Sequence, residues 1–200
     1  MSIVDRAKNI LLTPKTEWPV IAAEPATTGS LMTYAAILSA IPMIGSILSG
    51  VLFTSALGFG FGINFVIVSA LVSFAISLGV VFLMGIISGA LAPSFDGKNT
   101  AQAGLKLIVY ASTPVWVAGI LNIVPGLNII AMLAGLAYGI YLIYLGSTPL
   151  MAVPEAKTGG YTAVVVVIWI VLSFVINMIL GAAIIAAIVG SAAVGAAAIG

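Results

Sequence analysis

Five long apolar runs, over residues 30–53, 63–91, 104–124, 127–145 and 161–188, constrain this 200-residue chain more than any motif in it. A bilayer hydrocarbon core of roughly 30 Å is crossed by about 20 apolar residues in a helix, and each run is near or beyond that length. Backbone N–H and C=O groups in hydrocarbon must be satisfied within the segment or in a closed barrel, and the period-two alternation of barrel strands is absent. The expected fold class is therefore all-α: a polytopic membrane protein with a bundle of five transmembrane helices, preceded by a short interfacial amphipathic helix. Composition agrees, since 62% of residues are hydrophobic and 6% charged, against about 25% charged in a soluble domain.

Three segments are expected: a cytoplasmic N-terminal segment (1–28), a five-span membrane domain (29–190) and an Ala/Gly-rich tail (191–200). Residues 163–200 carry no charge and would run roughly 57 Å as one helix at 1.5 Å per residue. Gly181 alone is a poor turn signal, so this region reads as one span and a tail. The N-terminal thirty residues hold Asp5, Arg6, Lys8, Lys15, Glu17 and Glu24 with three prolines, unlike the apolar core of a cleaved signal peptide. Ile3, Ala7, Ile10 and Leu11 fall on one helical face with Asp5, Arg6 and Lys8 off it. That pattern fits a surface helix ended by Pro14 and anchored at the interface by Trp18. Between spans three and four, NIVPGLN supplies the residues of a tight turn.

Short cytoplasmic loops carry the Lys and Arg excess. Arg6, Lys8 and Lys15 precede span one, Lys98 and Lys106 lie between spans two and three, and Lys157 lies between spans four and five. Alternation from a cytoplasmic N-terminus puts all six cations inside and the C-terminus on the opposite side. The stretch SFDGKNTAQAGLK, residues 94–106, then shares a membrane face with the N-terminal helix and residues 154–157. Trp18, Asp96, Lys98, Lys106, Glu155 and Lys157 form the candidate cytoplasmic interaction face. Lys106 reads as a snorkelling lysine at the start of span three, or as a counter-ion for Asp96 or Glu155.

Without Cys or His the chain has no thiol, no Cys-ligated metal and not the commonest general base near neutral pH. A Ser–Lys pair is the one nucleophile arrangement left, and no catalytic residue, cofactor or metal site is assigned; the chain is read as no enzyme. GFGFG, residues 58–62, lacks the spacing, preceding strand and Lys of a phosphate loop and reads as a pliable outer loop. A net charge of +1 gives no field for nucleic acid. Inside the spans the candidate polar and kink positions are Pro42 and Pro114, each lacking a backbone donor, and Asn177, expected to hydrogen-bond to another helix. Gly85-x-x-x-Gly89 and Gly135-x-x-x-Gly139 are expected to serve packing within the bundle.

Two functions are compatible with these features. One is a non-enzymatic membrane-organising or partner-binding protein, its partners being membrane lipids, a cytoplasmic protein or a second copy of the chain. The alternative is a transporter or channel for a small solute or lipid around Pro42, Pro114 and Asn177.

The segments LLTPKTEW, SFDGKNTAQAGLKLIVYASTPVW, NIVPGLN and LIYLGSTPLMAVPEAKTGGYTAVV follow one another across the five runs. With Phe95-x-Gly97, Lys106, Tyr110, Pro114, Gly146 and Lys157 at these intervals, the chain resembles the Yip-domain family of Ypt/Rab-interacting membrane proteins, in particular its short prokaryotic members. The resemblance implies the five-span fold and location in a prokaryotic cell membrane. Eukaryotic members are implicated in vesicle traffic and Rab binding, with a loop motif of the Asp-Leu-Tyr-Gly-Pro kind. This sequence has TPKTEWPVIAAEP before its first span and lacks that motif, so Rab binding is not carried over.

Overall fold

The computed structural model describes the backbone of residues 1–57, 63–100, 102–124 and 126–197, and the side chains of residues 1–52, 63–100, 102–124 and 126–182. The GFGFG loop expected at residues 58–62 lies outside them, as does Pro125 of the NIVPGLN turn. The described residues contain no strand. Eight α-helices follow in order: α1 (Ile3–Leu12), α2 (Pro14–Ala23), α3 (Thr28–Leu57), α4 (Ile63–Leu91), α5 (Ala103–Ala111), α6 (Thr113–Ala118), α7 (Leu127–Met151) and α8 (Glu155–Ala197). Short 3-10 turns occupy Ala92–Phe95 and Gly119–Ile123. Among the described residues five helical stretches are long and apolar enough to cross a membrane: Thr28–Leu52, Ile63–Phe95, Ala103–Ile123, Leu127–Met151 and Glu155–Ala182. They coincide with the five apolar runs.

Local chemistry explains the boundaries. Ser2 caps α1 by accepting the Asp5 N–H at 3.1 Å, and its hydroxyl donates to the Asp5 carboxylate. Thr27 and Ser30 cap the start of α3 reciprocally, each side chain accepting the other's backbone N–H at 3.1 Å. Pro14 does more than end the first helix: it starts a second, sitting at the first position of α2, where its missing N–H costs nothing. The expected single surface helix is thus a helical hairpin. Pro114 does interrupt span three, which breaks at Ser112 into α5 and α6. Pro42, by contrast, lies inside an unbroken α3. Gly126 turns the chain into α7 with φ of 88°, a left-handed conformation natural to glycine. Asn128 then accepts the Gly126 and Ile129 N–H groups. Helix α8 continues through Gly181 without a turn.

The chain divides into two compact units, Met1–Ala163 and Val164–Gly200. In the first, span three is central: 67% of its apolar stretch is buried, against 6 to 28% in the other three spans that lie within that unit. Helix α4 packs on α3 and α5, and α7 packs on α2, α5 and α6. Small residues set these distances. A methyl group on Gly104 would strike the Gly85 carbonyl and the Gly89 backbone, while Gly139 and Gly135 lie against the Ala111 and Pro114 carbonyls. Both glycine pairs therefore pack inside the bundle. The second unit is the remainder of α8, where Asn177 is exposed and donates to the Ser173 carbonyl of its own helix at 2.7 Å. The interhelical bond expected of Asn177 is replaced by this local one, which satisfies the amide without a partner helix.

Candidate functional site

The residues expected to form one face fall into two groups at the same end of the first unit. The first is a buried charge cluster built by the α1–α2 hairpin. Helix α1 buries Arg6, Ala7 and Ile10, and α2 buries Pro14, Glu17, Trp18 and Ile21. Arg6 is 5% exposed and pairs through its two terminal nitrogens with Glu17 and Glu24. Asn9 adds a 3.3 Å bond to the other Glu17 oxygen. The Arg6 guanidinium also stands 5.8 Å from the centre of the Tyr110 ring, within cation–π range. Arg6 was expected off the buried face of α1; it lies on it, because Glu17 and Glu24 supply the charge that burial of a guanidinium requires.

Lys106, at the start of span three, is 7% exposed and does not snorkel. Its ammonium donates to the Ile21 carbonyl at 2.8 Å and the Glu24 carbonyl at 2.5 Å. These are orphan acceptors at the C-terminal end of α2, where a cation also complements the helix dipole. Neither Asp96 nor Glu155 is its counter-ion. Trp18, expected as an interfacial anchor, is 1% exposed. Its ring meets Tyr110 edge-on with centroids 6.5 Å apart, and lies where a Gly146 side chain would be, 2.7 Å from an added methyl carbon. Tyr110 in turn packs on Tyr34 at 4.9 Å, and the Tyr34 hydroxyl meets that of Thr113 at 3.0 Å. A cavity of about 180 Å³ opens among Arg6, Glu24, Ser30, Tyr34, Lys106 and Tyr110. Of the charged side chains on its walls, two are cations, Arg6 and Lys106, and one is a carboxylate, Glu24.

The second group is an exposed corner. Asp96 pairs with Lys157, and both side chains are substantially exposed. The Lys98 N–H donates to the Met151 carbonyl at 2.6 Å and the Gly97 N–H to the Ala92 carbonyl at 2.9 Å. The loop after span two is thereby pinned to the α7–α8 junction. Asp96 and Ala152, at φ of 60° and 52°, are the corner's left-handed residues. Glu155 and the Lys98 side chain are exposed, and among the described residues neither is in an ion pair.

Of the positions expected within the spans, Pro114 is buried against Gly135. Pro42 lines a cavity of about 400 Å³ between α3 and α4, with Ser39, Ser46, Ser69, Ser73 and Ser77 among its walls. Four of these hydroxyls are used within their own helices: Ser39, Ser46, Ser69 and Ser77 donate to carbonyls three or four residues back. Among the described residues no group of three or more acidic residues could hold a metal ion.

The missed residues are Arg6, Glu17, Glu24 and Tyr34. A signal for them exists: Glu17 and Glu24 are seven residues apart, two turns along one helical face, downstream of a cation and a Thr-Pro helix stop.

A family model for the Yip1 domain matches residues 8–177. No curated protein and no solved structure matches the chain.

Proposed function

Because the chain belongs to the Yip1 domain family, and so is a multi-pass integral membrane protein, we propose that it is a non-enzymatic adaptor that binds a cytoplasmic protein on the polar end of its first unit. The observation that carries this reading is the pinning of three distant segments into one platform. Lys106 holds α2, the Lys98 N–H holds the α7–α8 junction, and Asp96 holds Lys157. A surface held in one geometry before binding loses little entropy on association. Away from the hairpin, the accessible charges are Lys98, Glu155 and the Asp96–Lys157 pair; Trp18 and Lys106 act beneath the surface. The distribution of the six cations supports a cytoplasmic N-terminus and a C-terminus on the opposite side.

The test is site-specific photo-crosslinking from exposed positions 99 and 156, beside the two charges, with lipid-facing position 130 as control. A discrete protein product from the first two only, lost on joint K98E and E155K reversal, is the expected result. A product of twice the chain's mass makes a second copy the partner. Absence of any discrete product, or one that survives the reversal, overturns the reading.

The cavity beside Pro42 favours a second reading, a transporter or channel for a small apolar solute or lipid. Four of the five serine hydroxyls are committed to their own helices, which leaves walls better suited to such a molecule than to a desolvated ion. Flux from reconstituted vesicles that stops when Ser69→Phe fills the cavity supports it; no flux across a broad solute panel removes it.

A further inference from the structure

We propose that the tip of the α1–α2 hairpin is a binding site for the headgroup of an anionic phospholipid, with Lys15 as its cation. The tip reaches far along the bundle. The Tyr138 hydroxyl donates to the Leu11 carbonyl at 2.7 Å, and Tyr138 lies thirteen residues from the Met151 end of α7, about 20 Å along the helix. Between the tip and α7 is an open groove of about 500 Å³ whose walls include Leu12, Lys15, Thr16, Tyr138 and Tyr141.

The exposed side chains of α7 put this groove at the end of its apolar half, from which the long stem of Lys15 carries the ammonium toward the headgroups. From Leu127 to Leu136 the large exposed residues are aliphatic: Leu127, Ile129, Ile130, Met132, Leu133 and Leu136. Beyond them they are Tyr141 and Tyr144, at 39% and 45% exposure. Tyrosines following an apolar belt mark a membrane–water interface. On the α4 side the apolar surface continues to Ile86, so the hairpin occupies one flank of the bundle.

The chemistry of the groove selects a phosphate diester. Lys15 is exposed, and among the described residues no carboxylate pairs with it. The nearest acid in sequence, Glu17, is turned inward to Arg6. The Thr13 and Thr16 hydroxyls donate to the carbonyls of Asn9 and Thr13. The donors left are the Lys15 ammonium and the Tyr141 hydroxyl, for which the described residues show no hydrogen bond. Leu12, 69% exposed, lies beside them and gives the acyl chains an apolar edge. A cation, a hydroxyl and an adjoining apolar wall match the boundary of a phospholipid, which a soluble phosphate or an acidic peptide does not supply.

The test is native mass spectrometry of the purified full chain offered equal phosphatidylglycerol and phosphatidylcholine. The intact protein is expected to retain phosphatidylglycerol about fivefold over phosphatidylcholine, the factor one interfacial lysine contributes toward anionic lipid. Lys15→Gln should bring that preference close to one, and Lys15→Arg should keep it. Lys8→Gln, which removes the same charge outside the groove, should also keep it. Circular dichroism and a monodisperse elution profile confirm that each variant is folded. Equal retention of the two lipids by the unaltered chain overturns the proposal, as does a preference that survives Lys15→Gln. Displacement of the lipid by inorganic phosphate would show a free-anion site and overturn it too, and so would a Lys15-dependent dimer without bound lipid.

Discussion

The Arg6–Lys106 cluster and the Asp96–Lys157 corner look alike in sequence, as charged residues next to apolar spans, yet they differ in nearly every physical respect. In the first, Arg6, Glu17 and Lys106 are buried and hold fixed partners, with Glu24 half-exposed; the second is an exposed pair between the loop after span two and the first turn of α8. A buried charge is tolerated only with its partners, so the cluster behaves as a lock. An exposed pair is screened and competes with water, so the corner can change with little cost to the fold.

The largest expected effect tests that contrast directly. Arg6→Met strands Glu17 and half-exposed Glu24, and should destabilise the protein by about 3–5 kcal/mol, measured by unfolding in mixed micelles. Adding Glu17→Gln and Glu24→Gln should recover most of the loss, because what destabilises is the unpaired charge. If the triple variant is as unstable as the single one, the cluster is not an electrostatic lock. Next comes Gly146→Val, which pushes into the Trp18 ring and should cost about 1–3 kcal/mol, with a shift in tryptophan emission as the ring moves. Lys106→Met leaves the Ile21 and Glu24 carbonyls without their donor and should cost about 1–3 kcal/mol. Its signature is faster amide exchange in α2 and little change in α7. Smallest is Asp96→Asn, expected below about 1 kcal/mol; a loss as large as that of Arg6→Met would erase the distinction between the two regions.

Much of the architecture is legible because hydrocarbon imposes a length and an absence of charge. The five runs are therefore five helices, and Pro114 breaks span three where its missing N–H requires. The corner is legible too, since Asp96 and Lys157 each follow an apolar run and meet at one end. Arg6, Trp18 and Lys106 illustrate where that logic stops. A charge or a tryptophan near a span suggests an interface when only the distance to hydrocarbon is considered. Here a hairpin folds back on the bundle and provides burial from a third direction, which no pattern within a single helix encodes. Nor did the lack of ionisable residues in most of the spans exclude buried charge, because Arg6 and Glu17 arrive from outside them. Asn177 erred in the opposite direction: its amide is satisfied by Ser173, one turn away.

The Tyr138–Leu11 hydrogen bond joins residues 127 positions apart, and the Lys106–Ile21 bond joins residues 85 apart. At about 5–20 residues per second of synthesis, the first of these delays is on the order of 6–25 s. For that interval the hairpin exists without the helices that later enclose it. Arg6, Glu17 and Glu24 all lie within the first 24 residues, so their mutual pairing is available from the outset and can hold the hairpin at the membrane surface until its partners emerge. The ion pairs that lock the finished protein are thus also the earliest tertiary contacts it is able to make.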